Sequence, residues 1–411
     1  MPEFLHLQAP FEARERWLAQ VTHRVGVETL PTVDALGRVL AEPIVAREPI
    51  PAFPRSTVDG YAVRAADTHG ASESLPAYLQ VVGEVPMGRA PEFTLATGQA
   101  AVIHTGGMLP EGADAVVMLE YTERAREDEV EVLRAVAVGE NVIQVGEDVQ
   151  QGQEVLPAGV RLRPAEIGGL MALGQTRVKV ARRPRVGILS TGDEVVPPEQ
   201  PLQPGQVRDV NSYTISALVL AHGGEPVRYG ILPDDFEALM QATQQAFEET
   251  DMVVITAGSS ASTRDMTAQV LNSLGEPGVL AHGLRIKPGK PTILAVAQGK
   301  PLVGLPGNPV SALVNAWHFV VPALEKLQGV TVTRPRPQIR ARLAGNLPSE
   351  AGREEWYPVR IRRAEDGTLE AEPVHYRSNL IFRLAWADGL VPVPEDATGL
   401  PAGAEVVVFL W

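Results

Sequence analysis

Between residues 180 and 328 short apolar runs alternate with helical patterns, and this alternation constrains the fold more than any other feature of the chain. RVGILST (185–191) reads as a buried strand, and NSYTISALVLAHGG (211–224) as a helix capped by Asn211 and stopped by Gly223 and Gly224. EPVRYGIL is the next strand, PDDFEALMQATQQAFEETD a helix with Asp234 or Asp235 near its cap, and DMVVIT (251–256) a further apolar strand. A Ser-rich loop, the helical DMTAQVLNSLG, two strands in KPTILAVAQGKPLVGLPG and a long helix in NPVSALVNAWHFVVPALEKL complete the series. Such alternation implies a mostly parallel sheet covered by helices. The flanks read differently. Residues 27–146 are short Val/Ile/Leu runs broken by Gly and Pro and look mainly β, and residues 329–411 alternate apolar and polar residues like a small β-domain. That last stretch carries no residue pattern to which chemistry can be attached.

Composition then narrows the chemistry. The 411-residue chain has no cysteine, which excludes disulfides, iron–sulfur clusters, thiolate zinc sites and cysteine nucleophiles together. Its eight histidines form no HExxH-like pair, so any metal is expected to be a hard cation held by carboxylate and phosphate oxygens. A net charge of −14 argues against a nucleic-acid partner, which needs clustered Lys and Arg. No run of about 18 uncharged apolar residues occurs, so no membrane span is expected. The opening PFEARERWLAQVTH reads as an amphipathic helix instead of a secretion signal, and the chain is expected to be cytoplasmic.

Ligands of open α/β sheets bind beyond the carboxyl ends of the strands. The loops there hold STGDE (190–194), Asp234 and Asp235, AGSSASTRD ending in Asp265, and GLPGNPVSA (304–312). In GLPGNP, Gly307 permits a tight turn, Asn308 can cap, and Pro309 suits the first helical position, leaving N–H groups and the helix dipole for an anion. An ordinary well-capped helix explains the same residues. The Ser-rich loop 258–263 reads equally as a phosphate cradle or as a plain polar loop. There is no GxxxxGK[ST] pattern, which disfavours a P-loop nucleotidase. Each carboxylate taken singly reads as a solvated cap; gathered with Lys287 and Lys290 of IKPGKP they make a mixed-charge site. Lysines suit an oxyanion, and a bridging Mg²⁺ would reconcile the carboxylates with it. A phosphate-bearing ligand with Mg²⁺ is where the bare chemistry stops.

Six stretches in order, PRSTVDGYAV (54–63), HTGGMLPEGADAVVMLE (104–120), GEDV (146–149), STGDE, IKPGKP and GLPGNPVSA, resemble the bacterial molybdopterin molybdenumtransferases, relatives of the C-terminal domain of gephyrin. The resemblance runs over essentially the whole length. It implies a multidomain α/β plus β protein. An elongated split segment (1–26 with 147–178) would carry an inserted mainly β domain (27–146), followed by an α/β pterin-binding domain with a mostly parallel sheet (179–328) and a C-terminal β-barrel (329–411). It also implies a homodimer whose active site joins the α/β domain of one subunit to the inserted domain of the other.

Matched position by position, the resemblance assigns Asp59, Thr105, Glu194, Asp234 and Asp265 to catalysis. Glu194, Asp234 and Asp265 are also candidates for a Mg²⁺ or molybdate site. Asp148, Ser190, Thr191, Gly192, Asn211, Ser259, Ser260, Lys287, Lys290, Pro306, Gly307, Asn308 and Pro309 would contact substrate. The implied substrates are molybdate and adenylylated molybdopterin, and the implied products molybdenum cofactor and AMP. Molybdopterin adenylyltransferase and molybdoenzymes would be transient partners. The chain departs from the family pattern at Val58 and in AGSSAS (257–262), where Ala257 and Ser262 replace Gly; a need for φ > 0 there would strain both. The lysine often found beyond Asp265 is absent from Met266, Thr267 and Ala268. Rival readings are a paralogue acting with tungstate, a molybdopterin adenylyltransferase, and a non-catalytic pterin carrier.

Overall fold

The computed structural model describes residues 7–257 and 261–411, with residues 261–264 described by their backbone alone. The alternating region forms a six-stranded sheet in the order Glu225–Leu232, Arg185–Thr191, Met252–Ala257, Lys300–Pro306, Ile293–Ala297, Pro277–His282. The first four strands are parallel, and Ile293–Ala297 runs against them, pairing antiparallel with Lys300–Pro306 on one side and with Pro277–His282 on the other. The switch follows from the short link between Ile293–Ala297 and Lys300–Pro306. Gln298 (φ 49°) and Gly299 (φ 76°) make a two-residue turn of positive φ, which can only return the chain as a hairpin. The central Met252–Ala257 strand is buried at every position, which is why it reads as an unbroken apolar run.

Local chemistry explains the helix starts, with one correction. Of the two expected candidates, Asp235 caps Phe236–Glu249, accepting from the Ala238 N–H at 2.9 Å. Asn211 does not cap its helix, which spans Asn211–Ala221. Its Nδ2 donates instead to the Gly307 carbonyl (2.8 Å), and Asp209 takes over the first turn by accepting from the Ser212 N–H (3.1 Å). The expected long final helix runs from Pro309 to Leu327 with a wider π turn at Ala316–Val320. Pro322 follows that turn and has no N–H to return to the carbonyl four residues back, so the regular ladder is interrupted there. Ala257 ends its strand and Ser262 lies inside the Ala261–Ser273 helix, so neither position uses the positive φ that the departure from Gly put in question.

The inserted segment folds as a second six-stranded sheet, ordered Ala115–Met118, Gly60–Val63, Gln99–Ile103, Ala77–Glu84, Glu129–Val132, Thr122–Arg126. At the C-terminus, Glu354–Arg363, Leu369–Pro373, Gln338–Leu343, Glu405–Leu410 and Gly389–Val393 pair in a ring that closes on its first strand, a five-stranded barrel without free edges. Strand pairing and shared cores tie the parts together. Val27–Pro31 pairs with Arg177–Ala181, across the junction expected at residue 27, and Ala35, Leu40 and Ile44 share a core with Leu162 and Leu170. Trp17 of the Pro10–Gln20 helix is fully buried in the core of the α/β sheet and donates its indole N–H to the Ala295 carbonyl at 2.7 Å. No helix among the described residues is long and apolar enough to cross a membrane.

Candidate functional site

The IKPGKP loop is shaped by a buried asparagine. Asn315, fully buried on the helix after GLPGNP, donates to the carbonyls of Pro288 (2.9 Å) and Ser311 (2.8 Å). Gly289 sits against it at φ 107°, where a Cβ would lie 1.7 Å from the Asn315 Nδ2. Glycine is the residue that both the dihedral and the space admit. The loop so held presents Lys287 and Lys290 to a cavity of about 600 Å³. Pro306, Gly307 and Asn308 form its floor, and the barrel closes it with Arg353, Glu355 and Tyr376.

Glu355 is the buried carboxylate of that wall. Its Oε2 lies 3.1 Å from the Lys287 ammonium and accepts from Ser349 Oγ at 2.7 Å, and its Oε1 accepts from Tyr376 Oη at 3.0 Å. Burial, with Glu355 next in effect, pushes the Tyr376 phenol far above its ordinary range, so it stays a donor; burial and then Glu355 raise Tyr357 as well. Lys290 is exposed, and neither it nor Arg377 has an ion-pair partner among the described residues. The cavity therefore offers unneutralised cationic charge to an anion.

Gly307 and Asn308 also line a second cavity of about 590 Å³, so the two are neighbours across one turn. Ser190, Thr191, Glu194, Asn211 and Pro309 face this one. A polar chain runs beneath it: Thr256 Oγ1 donates to Ser190 Oγ (3.2 Å), Ser190 Oγ to Asp209 Oδ2 (3.2 Å), and Ser212 Oγ to the same carboxylate oxygen (2.5 Å). Thr191 Oγ1 and Asn211 Oδ1 are buried in its wall without a hydrogen-bond partner among the described residues. Buried polar atoms are rarely left so, and a polar ligand would satisfy both. Gly192 holds φ 138°, a conformation L side chains rarely adopt, and a Cβ there would crowd the side chains of Glu194 and Val195. Asn308 stands at the helix N-cap, yet its side chain makes no cap bond, in contrast to the expected capping role. Gly307 adopts no positive φ, so the turn there does not depend on glycine's left-handed freedom.

Other expected residues lie elsewhere. Asp59 and Thr105 are exposed together on the inserted sheet and line neither cavity. Thr105 donates its N–H (2.8 Å) and hydroxyl (3.3 Å) to Asp59 Oδ1, and the backbone bond is the main reason the Asp59 carboxyl is held below its usual range. His104 stands 3.6 Å from Asp59 and 3.0 Å from Glu84, and the bond to Glu84 raises its pKa. Asp148 borders a separate cavity of about 270 Å³ with Glu166 and Leu170. Asp234 donates its N–H to Asp193 Oδ1 at 3.2 Å, and Asp265 is exposed on the Ala261–Ser273 helix. Among the described residues no three acidic or histidine side chains gather around one ion, so Glu194, Asp234 and Asp265 do not form a ready-made metal cage. Ser259 and Ser260 lie outside the described residues.

Sequence reasoning missed Glu355, Tyr376, Arg353, Asp209 and Asn315. Asp209 was open to detection as an acid just ahead of a helix; the barrel residues carry no local signal, because strand pairing alone brings them here.

A mostly parallel sheet whose strand ends open on a cavity carrying Lys287, Lys290 and Arg377, walled by a separate β-barrel, defines a multidomain α/β protein with a pocket whose charge suits an anion. Residues 9–174 match the MoeA N-terminal region (domain I and II), residues 187–326 the probable molybdopterin binding domain, and residues 340–411 the MoeA C-terminal region (domain IV). The chain is 39% identical over 381 residues to a molybdopterin molybdenumtransferase of Nostoc sp., covering 91% of this chain and 86% of that one. It is 33% identical to the molybdopterin molybdenumtransferase of Haemophilus influenzae, with 97% of each chain covered. The crystal structure of the molybdopterin biosynthesis moeA protein from Pyrococcus horikoshii OT3 superimposes with a TM-score of 0.85 at 35% identity, over 98% of this chain and 100% of that one. The chain belongs to the molybdopterin molybdenumtransferase family, transferases of molybdenum cofactor biosynthesis.

Proposed function

We propose that the chain inserts molybdate into adenylylated molybdopterin and releases AMP. The observation that carries the reading is the pair of cavities sharing Gly307 and Asn308. Molybdate would lie against Lys287 and Lys290. The pterin and its phosphates would occupy the neighbouring cavity, where Thr191 Oγ1 and Asn211 Oδ1 await partners. Cleavage of the phosphoanhydride as the dithiolene takes the metal is then a matter of placing two anionic groups side by side and offsetting their charge.

The groups facing the second cavity that could ligate a metal are hydroxyl, amide and carboxylate oxygens, with Glu194 the exposed carboxylate among them beside the Arg208 guanidinium, and such oxygens fit a hard cation that draws its other ligands from phosphate and water. Mg²⁺ held by Glu194 would offset phosphate charge. Asp59 and Thr105, paired yet outside both cavities, would serve the partner subunit's site in a homodimer. The working units are the four expected ones, with residues 27–46 counted in the split segment because they share its core. A cytoplasmic setting, with molybdopterin adenylyltransferase upstream and molybdoenzymes downstream, completes the proposal.

The test is AMP release from adenylylated molybdopterin with Mg²⁺, with molybdate, with tungstate and with neither. Molybdate-dependent AMP release with formation of active cofactor is expected. Tungstate working better than molybdate would favour the paralogue reading. Tight pterin binding without AMP under any condition would leave a carrier.

A further inference from the structure

We infer that Glu355, on the C-terminal barrel, is a positioning residue that tempers the oxyanion cavity by holding the Lys287 ammonium; this rests on the reading that molybdate lies against Lys287 and Lys290. The pairing is built into the backbone. Ile286–Lys287 runs parallel to the start of Glu354–Arg363, with Ile286 opposite Glu354 and Lys287 opposite Glu355. The docking of the barrel therefore sets which carboxylate meets which lysine.

A buried carboxylate in the wall of an anion site is an unfavourable feature that the fold maintains with care. Glu355 is 1% exposed and receives three donors, Lys287, Ser349 and Tyr376. Stability alone is a weak reason for the arrangement, since an apolar pair of similar volume often serves a buried position as well or better. What the arrangement does control is charge. Arg353 is engaged by Glu350, Lys287 is neutralised by Glu355, and Lys290 and Arg377 are left to attract the incoming dianion. The cavity then binds the oxyanion strongly enough to place it and weakly enough to pass it to the dithiolene, which serves turnover better than tight ground-state binding does. The carboxylate also fixes one donor direction of Lys287, leaving its other protons for the oxyanion.

The sign of the effect separates this role from a structural one. Damage to the wall would weaken molybdate binding, whereas loss of the tempering charge strengthens it. In calorimetric titration of the full-length protein with molybdate, Glu355→Gln is expected to bind roughly ten-fold more tightly than wild type, with a steeper loss of affinity as salt rises. In turnover, KM for molybdate and kcat should fall together. Lys287→Gln is expected to cost more affinity than Lys290→Gln, because it leaves the buried Glu355 charge uncompensated in the cavity wall, whereas Lys290 is an exposed charge that solvent and salt already screen. That comparison stands even if Glu355→Gln fails to fold. Unchanged or weaker binding by folded Glu355→Gln, or equal losses for the two lysine variants, overturns the inference. If neither lysine variant loses affinity, the placement of molybdate fails first, and the inference falls with it.

Discussion

Replacing Gly289 with Ala tests the loop on which the oxyanion cavity depends. A Cβ there would meet the Asn315 amide nitrogen at 1.7 Å and its Cγ at 2.5 Å, a distance no adjustment of a few tenths can relieve. Asn315 is enclosed and already commits Nδ2 to two carbonyls, so moving it breaks bonds to Pro288 and Ser311. The backbone adds strain of about 1–3 kcal/mol for an L residue at such a φ. Each buried group left unpaired costs about 1–3 kcal/mol. With both bonds lost these give a destabilisation of about 3–9 kcal/mol, a large part of the 5–15 kcal/mol that holds a typical domain. By scanning calorimetry the transition of the α/β region should fall by roughly 10 °C, and molybdate affinity should drop because Lys287 and Lys290 flank the glycine. Asn315→Ala removes the steric obstacle but not the dihedral strain. The double variant should therefore be more stable than the sum of the single losses, by about 2 kcal/mol. A Gly289→Ala protein within 1 kcal/mol of wild type, or strictly additive losses in the double variant, would refute this account of the loop.

Three further outcomes are expected. Asp59→Asn and Lys287→Ala should each be inactive alone, yet mixed and re-dimerised they should recover about a quarter of wild-type AMP release, because half the dimers carry one intact composite site; no recovery counts against a site shared between subunits. Asp209→Ala, which strips the first turn of Asn211–Ala221 and two serine hydroxyls of their acceptor, should lower stability by about 2 kcal/mol and loosen the second cavity, as read by denaturant melts and pterin titration. Acid should destabilise the fold earlier than carboxylate protonation explains. His318 is fully buried among Phe11, Trp317 and Trp356, and burial lowers its pKa well below the ordinary 6.5; His222 is lowered to about 4, first by burial and then by Arg161 and Arg336. The unfolded chain thus binds protons that the folded chain refuses. This stability is full above pH 6.5 and is lost as pH falls toward the folded values, by up to about 1.4 kcal/mol per pH unit for each histidine. His318→Gln should flatten the slope measured by urea melts between pH 7.5 and 5, and an unchanged slope would sink the assignment.

Much of the architecture is written locally. The run DMVVIT reads as an apolar strand, KPTILAVAQGKPLVGLPG as two strands, and IKPGKP and GLPGNP as loops at strand ends where ligands gather. These features rest on side-chain periodicity and on the dihedral preferences of Gly and Pro, which act over a few residues. Tertiary structure alone decided the chemistry of the wall. Glu355 reads in sequence as one of two consecutive glutamates at the start of a strand, indistinguishable from a solvated pair, and becomes a buried counter-charge because barrel closure and one parallel pairing set it opposite Lys287. Asn211 likewise reads as a cap until Gly307, far along the chain, claims its amide. Local pattern encodes which elements form; burial and long-range register, which depend on how those elements dock, determine which polar groups meet and therefore what charge the site presents.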